Sequence, residues 1–487
     1  MTLSTETFFL DPSSPGTLQG QIRQNITAAV LAGRLRKGER LPSSRALAQH
    51  LGIARITVTL AFQDLVADGY LESRDRSGYY VAPTAPLAEA PRRKTAALPG
   101  RINWDGWLDG RYSAARVVEK EPDWQRFTYP FIYGQTDADL FNHTSWRLCA
   151  HQALGKRDFH ALTTDYGMGD DPMLLDYIAR HTLPRRGITA GPANILITIG
   201  AQNALWIICQ LLLRDGRQAA FENPGYPGLR AILAQHGVHF PVDVDEQGLP
   251  PDAIPESAKL AFVTPSHQAP TTVTMPLARR RQLMAMAKAR DMLIVEDDYE
   301  FEMSFANAPT PALKSLDDEG RVIYVGSFSK SLFPGLRLGY LVASAEFVAE
   351  ARALRATMLR HPPGHIQRTV AYFLALGHYD AQINRMRASF KERRAVMRAA
   401  IDDQGLVALR GGTSGGTSFW MQAPDGVDSS ELAKLLRAED VLIEPGDPFF
   451  ADVGAGSGSY RLAYSSIPTG RIVEGIRRIA HAQASLI

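Results

Sequence analysis

Near the start of the chain, apolar residues recur at helical spacing at Leu18, Ile22, Ile26 and Val30, and Gly33 closes the stretch. A short second helix is predicted around Leu47, Ala48 and Leu51, capped by Ser43 or Ser44, with Gly52 making the turn. A longer third helix carries the apolar stripe Val58, Ala61, Phe62, Leu65 and Val66 and ends at Gly69. Two short strands, residues 70–73 and 79–81, follow around the turn Asp75-Arg76-Ser77-Gly78. Three helices followed by a hairpin form the order of a winged helix-turn-helix. The pattern therefore predicts such a domain over residues 15–83.

From residue 84 to 125 the periodicity dissolves into APLAEAPRRKTAALPG and its neighbours, which read as a linker with a basic triplet, Arg92-Arg93-Lys94. From 126 to 487 short apolar runs (195–199, 260–263, 293–295, 322–325) alternate with helical stretches, the texture of an α/β domain with a mostly parallel sheet. The glycine-rich run at 411–418 leads into the strand-like SFWMQ rather than a helix, so it is expected to be a strand entry and not a phosphate cradle.

Composition narrows the function classes. Lys+Arg 53 against Asp+Glu 51 leaves a net charge of +2, so any contact with nucleic acid must be local rather than driven by a global field. Two cysteines, Cys149 and Cys209, exclude a disulfide framework and suit a reducing cytoplasm. The N-terminus lacks the basic region and apolar core of a signal peptide, and the apolar run at 195–213 is broken by Gly200, Gln202, Asn203 and Gln210. A cytoplasmic protein is expected. His361 and His365 are separated by Pro362, Pro363 and Gly364, which break the helix a metal pair needs, so no metal site is expected.

In a helix-turn-helix the N-terminus of the second helix of the motif faces base edges. That places Arg55 against guanine or phosphate and Thr57 against phosphate or a thymine methyl, with Arg45 on a backbone phosphate and Gly78 at the wing tip. The stretch LPSSRALAQHLGIARITVTLAFQDLVADGYLESRDRSGYYV resembles the GntR family of bacterial regulators, and its DNA-binding positions carry over to Arg45, Arg55, Thr57 and Gly78. Ala54 and Ile56 depart from that family, which places small polar residues there.

Four strand-end elements carry the second chemistry. Lys330 lies in Gly326-Ser327-Phe328-Ser329-Lys330, with Arg337 seven residues on, an arrangement suited to an imine with a phosphorylated aldehyde whose phosphate meets Ser327, Ser329 and Arg337. Glu296-Asp297-Asp298-Tyr299 follows an apolar run; Asp297 is the candidate carboxylate for a pyridinium nitrogen and Tyr299 for a phenolic oxygen. Gly200, Ala201 and Gln202 join a strand to a helix whose N-terminus can seat phosphate. Tyr226, in Asn223-Pro224-Gly225-Tyr226-Pro227-Gly228, can stack on a flat ring.

In this order the elements resemble the fold type I aminotransferases. The resemblance implies pyridoxal 5'-phosphate on Lys330 as the aldimine lysine, with Asp297, Tyr299, Tyr226, Gly200, Ala201, Gln202, Ser327, Ser329 and Arg337 around it. It also implies Arg461 on the α-carboxylate of a substrate, which in a sensor becomes the carboxylate or sulfonate of an effector, and Tyr166 reaching a partner subunit's phosphate. Ala269 stands where that family has an asparagine on the phenolic oxygen, and Thr272 where glycine is usual, which weakens the case for efficient transamination more than that for binding.

Together the halves resemble the MocR subfamily. The resemblance implies a DNA-binding transcriptional regulator that senses a small amino compound through its cofactor, binds an operator in double-stranded DNA and dimerises head to tail. The alternative is a working aminotransferase with a fused DNA-binding head; a repressor that has lost its cofactor is a third reading. In this subfamily γ-aminobutyrate is gripped by an arginine two residues past the stacking tyrosine, where this chain has Gly228. A small amino acid or an amino sulfonate such as taurine remains as an expected effector, held by Arg461 alone.

Overall fold

The computed structural model describes residues 8–11, 16–74, 77–86, 104–108, 110, 112–163, 169–237, 239–305, 310–410 and 415–487. The basic triplet Arg92–Lys94, the turn residues Asp75 and Arg76, and Tyr166 lie outside the described residues. The chain divides into two compact units, Met1–Asp109 and Gly110–Ile487.

In the first unit the helices run Leu18–Leu31, Ser44–Leu51 and Arg55–Ala67, followed by the antiparallel hairpin Leu71–Arg74 and Gly78–Val81. Ser43 rather than Ser44 caps the second helix, accepting from Ala46 N at 3.1 Å, and Gly52 ends it with a left-handed φ of 67°. Ile22, Ile26, Val58, Phe62, Leu65 and Val81 pack into one core, which fixes the third helix with its first turn exposed.

The second unit is built on a seven-stranded sheet. Its order is Ile195–Thr198, Gly339–Val342, Val322–Ser327, Leu293–Asp297, Ala258–Val263, Gln218–Asn223 and Phe240–Asp243. Gly339–Val342 is antiparallel to both its neighbours, and the remaining pairings are parallel. The central strands are buried on both faces, which is why they read as continuous apolar runs. Val295 packs into one core and Ile294 into the other, as alternation along a strand requires. A smaller antiparallel sheet holds Val407–Arg410, Ser418–Gln422, Ser459–Ala463 and Glu444–Pro445 in that order. The glycine-rich run does lead into the strand Ser418–Gln422; residues 411–414 are outside the description.

At one boundary the structure differs from the expected linker. Residues 110–125 are counted with the second unit, and Arg116 binds Asp447 Oδ2 and the carbonyl of Phe450, both at 3.0 Å. These attachments are single side chains on an aperiodic segment, so no periodicity announces them. No helix among the described residues is long and apolar enough to cross a membrane.

Candidate cofactor and effector site

The parallel strands ending at Thr198, Asn223, Val263, Asp297 and Ser327 all finish at the same edge of the sheet, the edge where open α/β sheets bind ligands. A cavity of about 350 Å³ opens there, lined by Ala201, Gln202, Tyr226, Asp297, Tyr299, Ser327, Ser329, Lys330, Arg337 and Arg461 together with Val117, Val118, Lys120, Tyr133, Gly228, Ala269 and Phe449.

Alternation sorts the acidic cluster. Glu296 turns away and accepts from Leu313 N and Lys314 N, both at 2.8 Å. Asp298, on the same side, forms a buried ion pair with Arg186 at 2.7 Å and accepts from the Tyr324 hydroxyl at 2.9 Å. Asp297 lines the cavity, and its Oδ1 is a buried acceptor without a partner. Burial, reinforced by the charges of Asp298 and Glu222, pushes its carboxyl up to about 7, against a lowering by Lys330. A buried, orphaned carboxylate at this strand end fits the protonated ring nitrogen of pyridoxal phosphate.

Most of the other residues expected around such a cofactor border the same cavity. Gly200, at φ 89°, turns the chain into the helix Ala201–Leu212, whose N-terminus has no side-chain cap. Its first N–H groups and the helix dipole are thus available to a phosphate. A Cβ at Gly200 would lie 3.2 Å from an Arg337 guanidinium nitrogen, so Arg337 closes over the same spot. Ser327 Oγ accepts from Ser329 N at 3.2 Å, which orders the serine turn before Lys330. Tyr226 lies over the cavity with its hydroxyl 3.4 Å from Gln202 Oε1.

Lys330 Nζ sits 4.1 Å above the ring of Tyr133. Burial, with help from Lys120 and Arg461, lowers its ammonium to about 7, opposed by Glu300 and Glu444. An amine that is neutral near physiological pH is a competent nucleophile towards an aldehyde. Gly134, at φ 75°, makes room for it, since a Cβ there would fall 2.1 Å from Nζ.

Arg461 stands opposite Glu444 in the small sheet, and its Nε donates to Glu444 Oε2 at 2.8 Å. The guanidinium is held between the rings of Tyr133, 4.2 Å away, and Phe449, 4.7 Å away. Glu444 occupies only the Nε side, which leaves the fork of the guanidinium for an anion. Ala269 lines the cavity and offers no polar side chain to a ligand. Tyr133, Glu300, Glu444, Phe449 and Lys120 escaped the sequence reading. Only Tyr133, in the aromatic run YPFIYG, carried a visible signal.

In the first unit, Arg45 and Arg55 are exposed and Arg55 Nε lies 3.3 Å from Ser44 Oγ, so the two N-terminal turns of the motif are tied together. Thr57 is half-buried and Gly78 adopts φ 109° at the exposed end of its strand. Ile56, one of the residues that departs from the GntR pattern, is 62% exposed.

Residues 18–81 match the family described as bacterial regulatory proteins, gntR family, and residues 150–479 match aminotransferase class I and II. The chain is 56% identical over 486 residues to the HTH-type transcriptional regulator TauR of Rhodobacter capsulatus, covering 99% of this chain and all of that one. It is 32% identical over 395 residues to the "Probable rhizopine catabolism regulatory protein MocR" of Rhizobium meliloti, covering 80% and 78% of the two chains. Among solved structures it resembles LysN, the α-aminoadipate aminotransferase of Thermus thermophilus complexed with N-(5'-phosphopyridoxyl)-L-leucine. That match has a TM-score of 0.71 and 28% identity, over 79% of this chain and 99% of that one.

Proposed function

Because the chain belongs to the MocR-type regulators, in which a GntR winged helix is fused to an aminotransferase-like domain that uses pyridoxal phosphate, we propose that it switches an operator in response to a small anionic amine, an amino sulfonate such as taurine or a short amino acid. The observation that carries this reading is the meeting of Lys330, Asp297 and Arg461 in one cavity of a chain that also carries a DNA-binding unit.

Bound pyridoxal phosphate supplies an aldehyde carbon that condenses reversibly with amines. Asp297 would hold the ring nitrogen, the Gly200 turn with Ser327, Ser329 and Arg337 would hold the phosphate, and Tyr226 would cover the ring. Tyr299 serves the phenolic oxygen. Lys330 would be the chain's own amine at that carbon, with an effector amine competing for the same position. Arg461 orients the effector through its acid group, and Gly228 leaves the Tyr226 side of the cavity without a second arginine. An effector that binds two arrangements of the protein unequally shifts the balance between them.

In the first unit, Arg55 and Thr57 address base edges or phosphates, Arg45 a phosphate, and Gly78 the duplex at the wing. A head-to-tail homodimer through the large unit agrees with the exposed apolar Leu148 and Phe159 on neighbouring helices and Leu154 between them.

Ala269 counts against the alternative of a working aminotransferase, because the phenolic oxygen lacks one donor. The test is an absorbance titration of the purified, cofactor-loaded protein with taurine and short amino acids, paired with operator gel shifts. A spectral change with altered operator binding and no multiple turnovers on an added 2-oxoacid is expected. Sustained turnover would transfer the protein to the enzyme reading.

A further inference from the structure

Among the charged groups of the described residues that line the cavity, Lys120, Lys330, Arg337 and Arg461 are cationic and Asp297 is the one carboxylate. A bound cofactor would account for most of them, Arg337 at the phosphate, Asp297 at the ring nitrogen and Lys330 at the aldehyde. Arg461 is ion-paired through its Nε with Glu444. Lys120 is the cation left without a role.

Lys120 does not belong to the sheet scaffold. It lies on the segment 116–120, which precedes the α/β pattern and joins the cavity wall through Val117, Val118 and Lys120. Arg116 fixes the start of this strap to the turn at 447–451, through Asp447 and the carbonyls of Phe450 and Ala451. Arg230 braces the same turn at the carbonyl of Pro448, at 2.7 Å. Phe449, in the middle of that turn, is the ring packed on Arg461. One turn therefore holds both the strap and the effector arginine. Although Lys120 is an exposed residue, partial desolvation beside the cavity wall, with the charges of Arg461 and Arg337, lowers its ammonium below the ordinary lysine value, while Glu444 raises it. An arriving anion relieves that repulsion.

We propose that Lys120 is a second anchor for the acid group of the effector, so that the strap residue and Arg461 together select amines bearing a full negative charge over neutral ones. The inference rests on the amine-sensing reading above.

The test uses the full chain loaded with pyridoxal phosphate, titrated with taurine, β-alanine and ethanolamine and read by the absorbance of the cofactor. Lys120→Gln is expected to weaken taurine and β-alanine about tenfold, equivalent to about 1.4 kcal/mol, and to change ethanolamine by less than about twofold. Lys120→Arg and Glu119→Gln, the latter on an exposed neighbour outside the cavity lining, are expected to stay near the parent. Unchanged taurine affinity in Lys120→Gln, or an equal loss for ethanolamine, overturns the role of Lys120 while the sensing reading stands. A parent protein whose spectrum answers none of the three amines sinks the sensing reading itself, and this inference with it.

Discussion

Asp297 and Asp298 are neighbours in sequence with opposite fates: Asp298 is locked to Arg186 at 2.7 Å, and Asp297 presents an unpartnered Oδ1 to the cavity. The first carboxylate has its cation within the fold. The second is left for a ligand.

The first prediction uses that difference. Asp297 and Glu222, both raised to about 7, bind their protons more tightly folded than unfolded. The stability they contribute to the cofactor-free protein is full below about pH 4 and is lost as pH rises through about 7. His267, lowered to about 4 by burial, works in the opposite sense, adding stability as pH rises from about 4 to about 6.5. Asp297→Asn is expected to flatten the decline and to stabilise the cofactor-free protein at about pH 8 by about 1–3 kcal/mol. The same change weakens cofactor retention. Thermal melts across pH, with and without pyridoxal phosphate, check both halves.

Glu444 offers a second. Removing one partner of a buried ion pair strands the other, at a cost of about 3–5 kcal/mol. Glu444→Gln should therefore lower the melting temperature, and a saturating anionic amine should restore more of it than in the parent, because the anion replaces the missing charge beside Arg461. Equal ligand-induced shifts in both proteins would show that Arg461 does not meet the anion.

Gly134 provides a steric prediction. A Cβ 2.1 Å from Lys330 Nζ, on a backbone at φ 75°, forces the lysine from its place over Tyr133. Gly134→Ala should fold, lose about 1 kcal/mol or more to backbone strain, and fix far less cofactor on borohydride reduction. Lys330→Ala should fix none at that position. Mass spectrometry of the reduced proteins distinguishes the three.

On DNA, Arg55→Ala should cost about 1–3 kcal/mol and relax preference at one base pair if it reads guanine. Arg45→Ala should weaken all sequences alike and reduce the salt slope by about 1, since a phosphate contact releases counterions without reading bases. Identical salt and sequence profiles for the two variants would contradict this division.

Much of this was readable in the chain because the signals are local. The winged helix rests on apolar stripes within single helices, and Lys330, Asp297, Tyr226 and Gly200 each stand at the end of a strand that announces itself. Helix ends were less legible: Ser43 and Ser44 are equivalent caps on paper, and the backbone chose Ser43. The unread residues depend on distant partners. Glu444 matters because strand register puts it opposite Arg461, and Tyr133 because folding carries it between Lys330 and Arg461. Neither register nor long-range approach leaves a trace in spacing.

The seam between the two halves has a consequence for how such proteins can be recombined. A chimera cut at residue 125, where the α/β pattern begins, would transplant a sensor with one side missing; a cut before Gly110 keeps Val117, Val118 and Lys120 with the chamber they help enclose. The tether is then heritable property of the sensor rather than a neutral spacer. A change of ligand preference can be written into it without touching the sheet scaffold or the DNA-binding unit.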